Sequence, residues 1–176
     1  IVYEGHGIQP DVKIEPEMLS TVTAHLYAQN MIFKYANKFY REHKTIAPPE
    51  EFEITDEIYN DFVNFVEEQD FSYTSESEKD FEELIKTAKL EGYYDNIKEQ
   101  LDVLEKELRS HKDNDLINNK EEISEILKME IVGRYYFQKG KIISSLKDDP
   151  ELNRAVEILL DSNGDNEYEN ILKGVN

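Results

Sequence analysis

The chain has 176 residues, 39 of them acidic and 20 basic, which gives a formal net charge of −19. A surface this negative repels nucleic-acid phosphates and anionic lipid headgroups, so nucleic-acid binding and attachment to an acidic membrane surface are both disfavoured. The sequence has no cysteine, which excludes disulfides, thiolate catalysis and cysteine-ligated zinc. It also has no apolar run of the roughly 20 residues that a bilayer-spanning helix needs.

The first fifteen residues differ from the rest of the chain. Ile1–Tyr3 and Val12–Ile14 favour strands, and the loop between them contains two glycines and a proline. A two-stranded ribbon is marginally stable by itself in water. We therefore expect residues 1–15 to be the end of a sheet domain that lies mostly outside this chain. Because the sequence begins with Ile1 and not with Met, we also expect the chain to be a piece of a longer protein.

From residue 16 onward the apolar pattern becomes helical. A wide apolar stripe predicts one long helix that ends before Pro48–Pro49 and has neighbours on more than one side. Its members are Leu19, Val22, Leu26, Ile32, Phe33, Tyr35, Ala36, Phe39 and Tyr40.

Local start and stop signals divide the remainder into further helices. Thr55 is placed to cap one helix, Ser75 and Glu78 have the spacing of a capping box, and Gly92 marks a break. The seam after Gly92 has the spacing of antiparallel packing. It contains Ile97, Leu101, Leu104 and Leu108.

The last third of the chain predicts three more helices. The 113–115 stretch is predicted to be a loop, followed by a helix over about residues 120–139 that Gly140 closes. Asp149–Pro150 starts the next helix, Asn163–Gly164 ends it, and a short helix around Tyr168 follows. The predicted fold class is all-α, a multi-helix bundle of about six or seven helices. Residues 16–176 form its helical domain, and residues 1–15 form a short extended segment.

Reactive side chains do not form a recognisable constellation in the sequence. Since no two of the four histidines are three or four residues apart, no helix face offers two imidazoles to a metal. The Asp161–Asp165 stretch lacks the glycine and glutamate positions of a calcium loop. Ser144 and Ser145 lie near Lys141 and Lys147, but no glycine-framed turn could expose a nucleophile there. We therefore expect no catalytic residue, metal ligand or cofactor site in this chain.

Two stretches leave alternatives open. The aromatic and basic residues of Arg134–Gly140 could form a binding patch, or Tyr135 and Tyr136 could straddle the buried face of a helix with their hydroxyls at its edge. The span Ile46–Asp70 has nine acidic residues and no lysine or arginine. It could bind a basic partner, or it could neutralise the basic residues of Lys34–Lys44 within the same domain.

The opening segment resembles a known family. Gly5, Gly7, Ile8, Pro10 and Asp11 match the G-x-G-I-x-P-D stretch that closes the protease core of C-terminal processing (tail-specific) serine peptidases. Glu4 and His6 replace the additional glycines that are usual there. The remainder is similar, more loosely, to the helical C-terminal extension of some bacterial members. The stretches that carry this second similarity are Arg134–Tyr136 and Ser145–Glu151.

The resemblance implies a parent enzyme that cleaves polypeptides near their C-termini with a Ser–Lys dyad in the bacterial periplasm or cell envelope. Both dyad residues lie upstream of the motif, so the resemblance implies that this chain lacks them. The expected function is that of a non-catalytic C-terminal helical domain that serves oligomerisation or controls substrate access. The expected partners are the upstream protease core, its polypeptide substrates and a second copy of the chain. The alternative is a free-standing acidic helical interaction module.

Overall fold

A computed structural model describes residues 10–15, 18–160, 164 and 166–174, without the side chain of residue 113. The described residues contain nine helices and no strand, which confirms the all-α prediction. The helices are α1 (Thr21–Ala28), α2 (Met31–Glu42), α3 (Asp56–Glu68), α4 (Glu76–Glu91), α5 (Tyr94–Asp113), α6 (Asp115–Asn118), α7 (Lys120–Ser145), α8 (Pro150–Leu159) and α9 (Glu167–Leu172). None of them is long and apolar enough to span a membrane.

The chain divides into two compact units. The larger unit is Leu19–Ser144. The smaller unit combines the described residues within 1–18 with those within 145–176. The sequence predicts a different boundary, between a protease-core segment (1–15) and a helical domain (16–176). This division does not test that boundary, which stays a prediction.

The core of the larger unit lies between α1, α2, α3 and α7. Removal of these apolar side chains from water is the main stabilising contribution to the bundle. Apolar residues with at most 2 % of their surface exposed come from all four helices: Val22, Leu26, Ile32, Tyr35, Ala36, Tyr59, Phe62, Val66, Ile123, Leu127, Ile131 and Val132. The predicted stripe is thus only partly buried, because Leu19, Phe33 and Tyr40 remain half exposed.

The single long helix predicted before Pro48 is wrong, since the structure has two helices there. Asn30 adopts a left-handed backbone with φ of 60°, and Gln29 closes α1. Asparagine tolerates this conformation better than most residues because its short side chain can hydrogen-bond locally. The interruption lets α1 and α2 bury different faces in the same core.

The capping predictions are confirmed residue by residue. Thr55 accepts a hydrogen bond from the backbone N–H of Ile58 and begins α3. Ser75 and Glu78 form a complete capping box at α4, and Gly92 closes that helix with φ of 79°. These predictions succeed because the side chain satisfies backbone groups only a few residues away.

Helices α4 and α5 form an antiparallel hairpin. Its seam is built on Phe81, Ala88 and Leu101, which are buried, whereas Leu84 and Leu104 are almost half exposed. The neighbour of the predicted seam is therefore α4, and two leucines, Leu84 and Leu104, flank the contact. The prediction of a loop at residues 113–115 is wrong, because Asn114 alone separates α5 from α6.

A polar joint fixes this hairpin to the rest of the larger unit. The ammonium of Lys112 donates to the Glu78 carboxylate at 2.9 Å and lies 4.7 Å from the centre of the Tyr73 ring. The Tyr73 hydroxyl donates to Asp115, and the His25 ring stacks on the Tyr73 ring with centres 5.1 Å apart. The joint thus connects α1, α4, α5 and α6.

Helix α7 differs most from its prediction. It consists of two helical segments, and Gly140, which was expected to end the helix, lies buried in the second segment, three residues after the interruption. The regular backbone is interrupted instead at Phe137, where φ is 56° and ψ is −155°. No local signal marks Phe137 as a helix breaker.

The smaller unit contains α8 and α9. Asp149 caps α8 and Pro150 occupies its first turn, as predicted. The α8 helix ends at Leu159, earlier than the predicted end at Asn163–Gly164, and α9 matches the predicted final helix. Val12–Ile14 is not a strand, and Ile1–Tyr3 lies outside the described residues.

Candidate functional site

An aromatic surface runs along the outer side of α2 where α7 packs beside it. The guanidinium of Arg134 lies 4.6 Å from the centre of the Phe33 ring, and its Nε donates to the Asn37 side chain at 2.8 Å. Two turns beyond Phe33 on α2, the rings of Tyr40 and Tyr135 pack edge to face with their centres 4.8 Å apart. Phe33 and Tyr40 are each about half exposed. The surface therefore presents two aromatic rings held by neighbours on a second helix.

The two tyrosines of α7 close this surface at one edge. The Tyr135 hydroxyl donates to the backbone carbonyl of His43 at 2.6 Å, and the Tyr136 hydroxyl donates to that of Ile46 at 3.3 Å. Burial raises the pKa of Tyr135 above its ordinary value. These contacts correspond to the packing interpretation of the Arg134–Gly140 stretch, in which both hydroxyls lie at the edge of a buried face.

A charged network lies beneath the surface. Glu130 accepts hydrogen bonds from Arg134 Nη1 at 2.8 Å and from Lys141 Nζ at 2.7 Å, and only 19 % of its side chain is exposed. Burial alone would raise the pKa of Glu130, but hydrogen bonds from Lys141 and Arg134 outweigh it and hold that pKa below the ordinary value. The carboxylate is therefore ionised at neutral pH.

Arg134 could be recognised from the sequence, but its pairing with Glu130, and the pairing of Glu130 with Lys141, were not predicted. The Glu130–Arg134 pair has the i, i+4 spacing of a helical ion pair, which could have been found. The Glu130–Lys141 pair spans eleven residues, and no regular helix brings such positions together. Only the interruption at Phe137 makes that contact possible.

The other candidate reactive groups have structural partners. Ser144 is buried, and its hydroxyl donates to the backbone carbonyl of Lys141, while the Lys141 ammonium binds Glu130. These two side chains therefore do not form a nucleophile–base pair.

Metal-binding groups do not cluster in the described part of the chain, where no three His, Asp or Glu residues are placed to hold an ion. His25 stacks on Tyr73, and His43 stacks on Phe39 with ring centres 4.0 Å apart. His6 and most of the Asp161–Asp165 stretch lie outside the described residues.

The acidic span between Ile46 and Asp70 contributes ion pairs within the larger unit. Asp61 binds Lys38 of the basic stretch at 2.8 Å and accepts a hydrogen bond from the Tyr35 hydroxyl. Glu53 and Asp56 pair with two lysines of α7, Lys128 and Lys120. The Asp61–Lys38 pair is thus a contact of the predicted kind, in which the acidic span neutralises the basic stretch of the same domain. Binding of a basic partner stays a prediction.

The smaller unit has a cleft of about 770 Å³. Pro10 and Asp11 of the family motif line it together with apolar residues of α8 and α9, among them Ile158 and Ile171. Gly5, Gly7 and Ile8 of the motif lie outside the described residues. The role assigned to the motif stays a prediction.

Comparison with known proteins identifies one family. The model of the C-terminal helical domain of a probable PDZ-protease matches residues 22–159, well over half of the chain. No curated protein and no solved structure showed significant similarity. The matched region contains α1 to α8, including the aromatic surface and the interrupted α7. The chain belongs to the family of C-terminal helical domains of probable PDZ-proteases.

Proposed function

We propose that this chain is the non-catalytic C-terminal domain of a secreted bacterial C-terminal processing serine endopeptidase and that it supplies a contact surface for oligomerisation. Its membership of the helical-domain family carries the proposal. The resemblance of Gly5–Asp11 to the end of the protease core supports it, and implies a Ser–Lys dyad upstream of that motif. The periplasm or cell envelope is the proposed compartment on the same ground.

The aromatic surface is the proposed contact. Phe33 and Tyr40 expose about half of their area, and both are held in place, by Arg134 and by Tyr135. Aromatic residues that are rigid before binding lose little conformational freedom when a partner covers them, so they are frequent anchors of protein interfaces. Control of substrate access is the other proposed role. In that role the same surface would bind a segment of the polypeptide substrate and not a second copy of the chain.

Sedimentation of the full-length enzyme and of this chain tests the oligomerisation role. In a dimer built on this surface, combined Phe33→Glu and Tyr40→Glu substitutions would raise the dimer dissociation constant by at least about tenfold, because two carboxylates would be desolvated in the contact. Leu90→Glu is the matched control, since Leu90 is 89 % exposed at the end of α4. Strictly monomeric behaviour of both proteins at all concentrations would eliminate dimerisation.

Peptidase assays test the non-catalytic assignment. The isolated chain should not cleave polypeptides, and replacement of the upstream serine in the full-length enzyme should abolish cleavage. Cleavage by the isolated chain that persists through purification and disappears on Ser144→Ala would contradict the assignment.

To test control of access, the surface variant of the full-length enzyme can be compared on a short peptide and on a folded substrate. An effect on the folded substrate alone supports that role.

A further inference from the structure

One residue of α7 departs from helical geometry. Phe137 has φ of 56° and ψ of −155°, a conformation that is rare for any residue with a Cβ atom. Its side chain is 77 % exposed, so packing of the ring itself cannot hold the backbone in this conformation. The contacts that do so must lie elsewhere along α7.

Those contacts join the two parts of α7 on either side of Phe137. Lys141, which follows the interruption, binds Glu130, which precedes it, at 2.7 Å. The backbone of Gly140 lies so close to the first part that a Cβ atom there would meet the Cβ of Tyr136 at 2.3 Å. Lys141 also covers Gly133, where a Cβ atom would lie 2.1 Å from the lysine Cε. An ion pair and two side-chain-free positions thus stabilise the bend.

One donor near the bend has no partner. Arg134 Nη2 is buried and makes no hydrogen bond within the described part of the chain, although the other nitrogens of this guanidinium are bound. A buried donor without an acceptor is unfavourable. An unfavourable backbone at Phe137 and an unsatisfied group at Arg134 thus occur three residues apart in α7.

A straight helix is the evident alternative for the same residues. Residues 120–145 contain no proline, and Phe137 is the residue at which the backbone leaves helical geometry. Rotation of this one residue into the helical region would make α7 continuous and would relieve the unfavourable backbone. Glu130 and Lys141 would then be about 16 Å apart along the axis. The ion pair would be broken, and the contact of Lys141 with Gly133 would be lost.

We propose that α7 is a two-state element in which the Glu130–Lys141 ion pair and the close contacts at Gly133 and Gly140 select a bent state over a straight helix. Anything that competes for either charge shifts the population toward the straight state. A docking partner with a charged side chain at this position would act in that way. Straightening would separate Lys141 from Glu130, which also binds Arg134 of the aromatic surface, so the device goes beyond the proposed contact and would regulate it.

Electron-spin distance measurements can test the proposal directly. The chain has no cysteine, so nitroxide labels can be placed at Glu121→Cys and Ile142→Cys without other changes. These positions are about 31 Å apart along a straight helix and much closer in the bent one. Dilution with unlabelled chain restricts the measurement to distances within one copy, so the result is independent of dimerisation.

Substitutions then shift the two populations in opposite directions. Lys141→Met keeps the aliphatic stem and removes the charge, and should raise the ratio of long to short distances by about tenfold or more. Lys139→Met, an exposed neighbour, should leave the ratio unchanged. Phe137→Gly should lower the ratio, because glycine adopts the bent backbone without strain. In the unsubstituted chain, 1 M salt should act like Lys141→Met, which gives a test that does not depend on folding of a variant.

Two results would overturn the proposal. If the short distance persists unchanged both in folded Lys141→Met and in high salt, the bend is a fixed feature and not a switch. If the unsubstituted chain shows the long distance alone, the ion pair does not select the bent state.

Discussion

The backbone at Phe137 makes a quantitative prediction for stability. A residue held in a sparsely populated conformation with positive φ is destabilised by about 1–3 kcal/mol relative to glycine. Glycine in turn increases the conformational freedom of the unfolded chain, which offsets about 0.4–1 kcal/mol of this gain. Because the Phe137 ring is 77 % exposed, its removal should lose only about 0.5 kcal/mol of burial.

A pair of variants isolates the backbone contribution. Phe137→Ala removes the ring but keeps the Cβ atom and therefore the unfavourable backbone, whereas Phe137→Gly removes both. We expect Phe137→Gly to be more stable than Phe137→Ala by about 1 kcal/mol. The difference corresponds to about 2–4 °C in melting temperature for a chain of this size.

Urea unfolding followed by far-ultraviolet circular dichroism measures the difference. The free energies of unfolding are compared only if both variants have the same slope of free energy against urea concentration. A different slope would indicate a change in the unfolded state and not in backbone strain. If Phe137→Ala is as stable as Phe137→Gly, or more stable, the backbone at this position is not strained and the reasoning fails.

Three further predictions concern local interactions. Ser75→Ala should lower the free energy of unfolding by about 1 kcal/mol because it removes a cap, whereas Ser77→Ala, an exposed substitution in the same turn, should change it little; urea unfolding of both variants checks this. Lys128→Met should be neutral or stabilising by up to about 2 kcal/mol, because Lys128 is 6 % exposed and its partner Glu53 is solvated, whereas Glu53→Gln should be destabilising; melting temperatures rank the two. Burial alone would raise the pKa of Glu78. Hydrogen bonds from Ser75 and from Lys112 outweigh burial and hold this pKa below the ordinary 4.5. The unfolded state therefore binds the proton more readily, so this contribution is complete above about pH 4.5 and is lost as the pH falls below it; a Glu78→Gln variant should lose less stability over the same titration.

Features determined by neighbouring residues could be predicted from the sequence. The caps at Thr55, Ser75 and Asp149 and the glycine at position 92 act on backbone groups within one helical turn. The helix ends that they form can therefore be predicted from a short window of sequence. The helical class and most helix positions follow from the same local signals and from apolar periodicity.

Features determined by distant contacts could not be predicted. Gly140 has the properties of a helix terminator in the sequence, yet it lies in the second helical segment of α7, close against Val132 and Tyr136 of the first segment. Phe137 has no property of a terminator, yet the helix is interrupted there. In both cases contacts between the two parts of α7 override intrinsic preference. The candidate site could be predicted only in part for the same reason, since Arg134 was recognisable and the Glu130–Lys141 contact was not.

The charge of the chain separates the two proposed kinds of association. With a formal net charge of −19, two copies repel each other, and salt that screens this repulsion should strengthen a contact built on Phe33 and Tyr40. Binding of a basic protein to the acidic Ile46–Asp70 span would respond in the opposite way, because salt screens the attraction. Sedimentation between 0.05 and 0.5 M salt, on the order of a threefold change in screening length, therefore distinguishes them. Self-association that weakens steeply over this range would contradict an aromatic contact and indicate an electrostatic one.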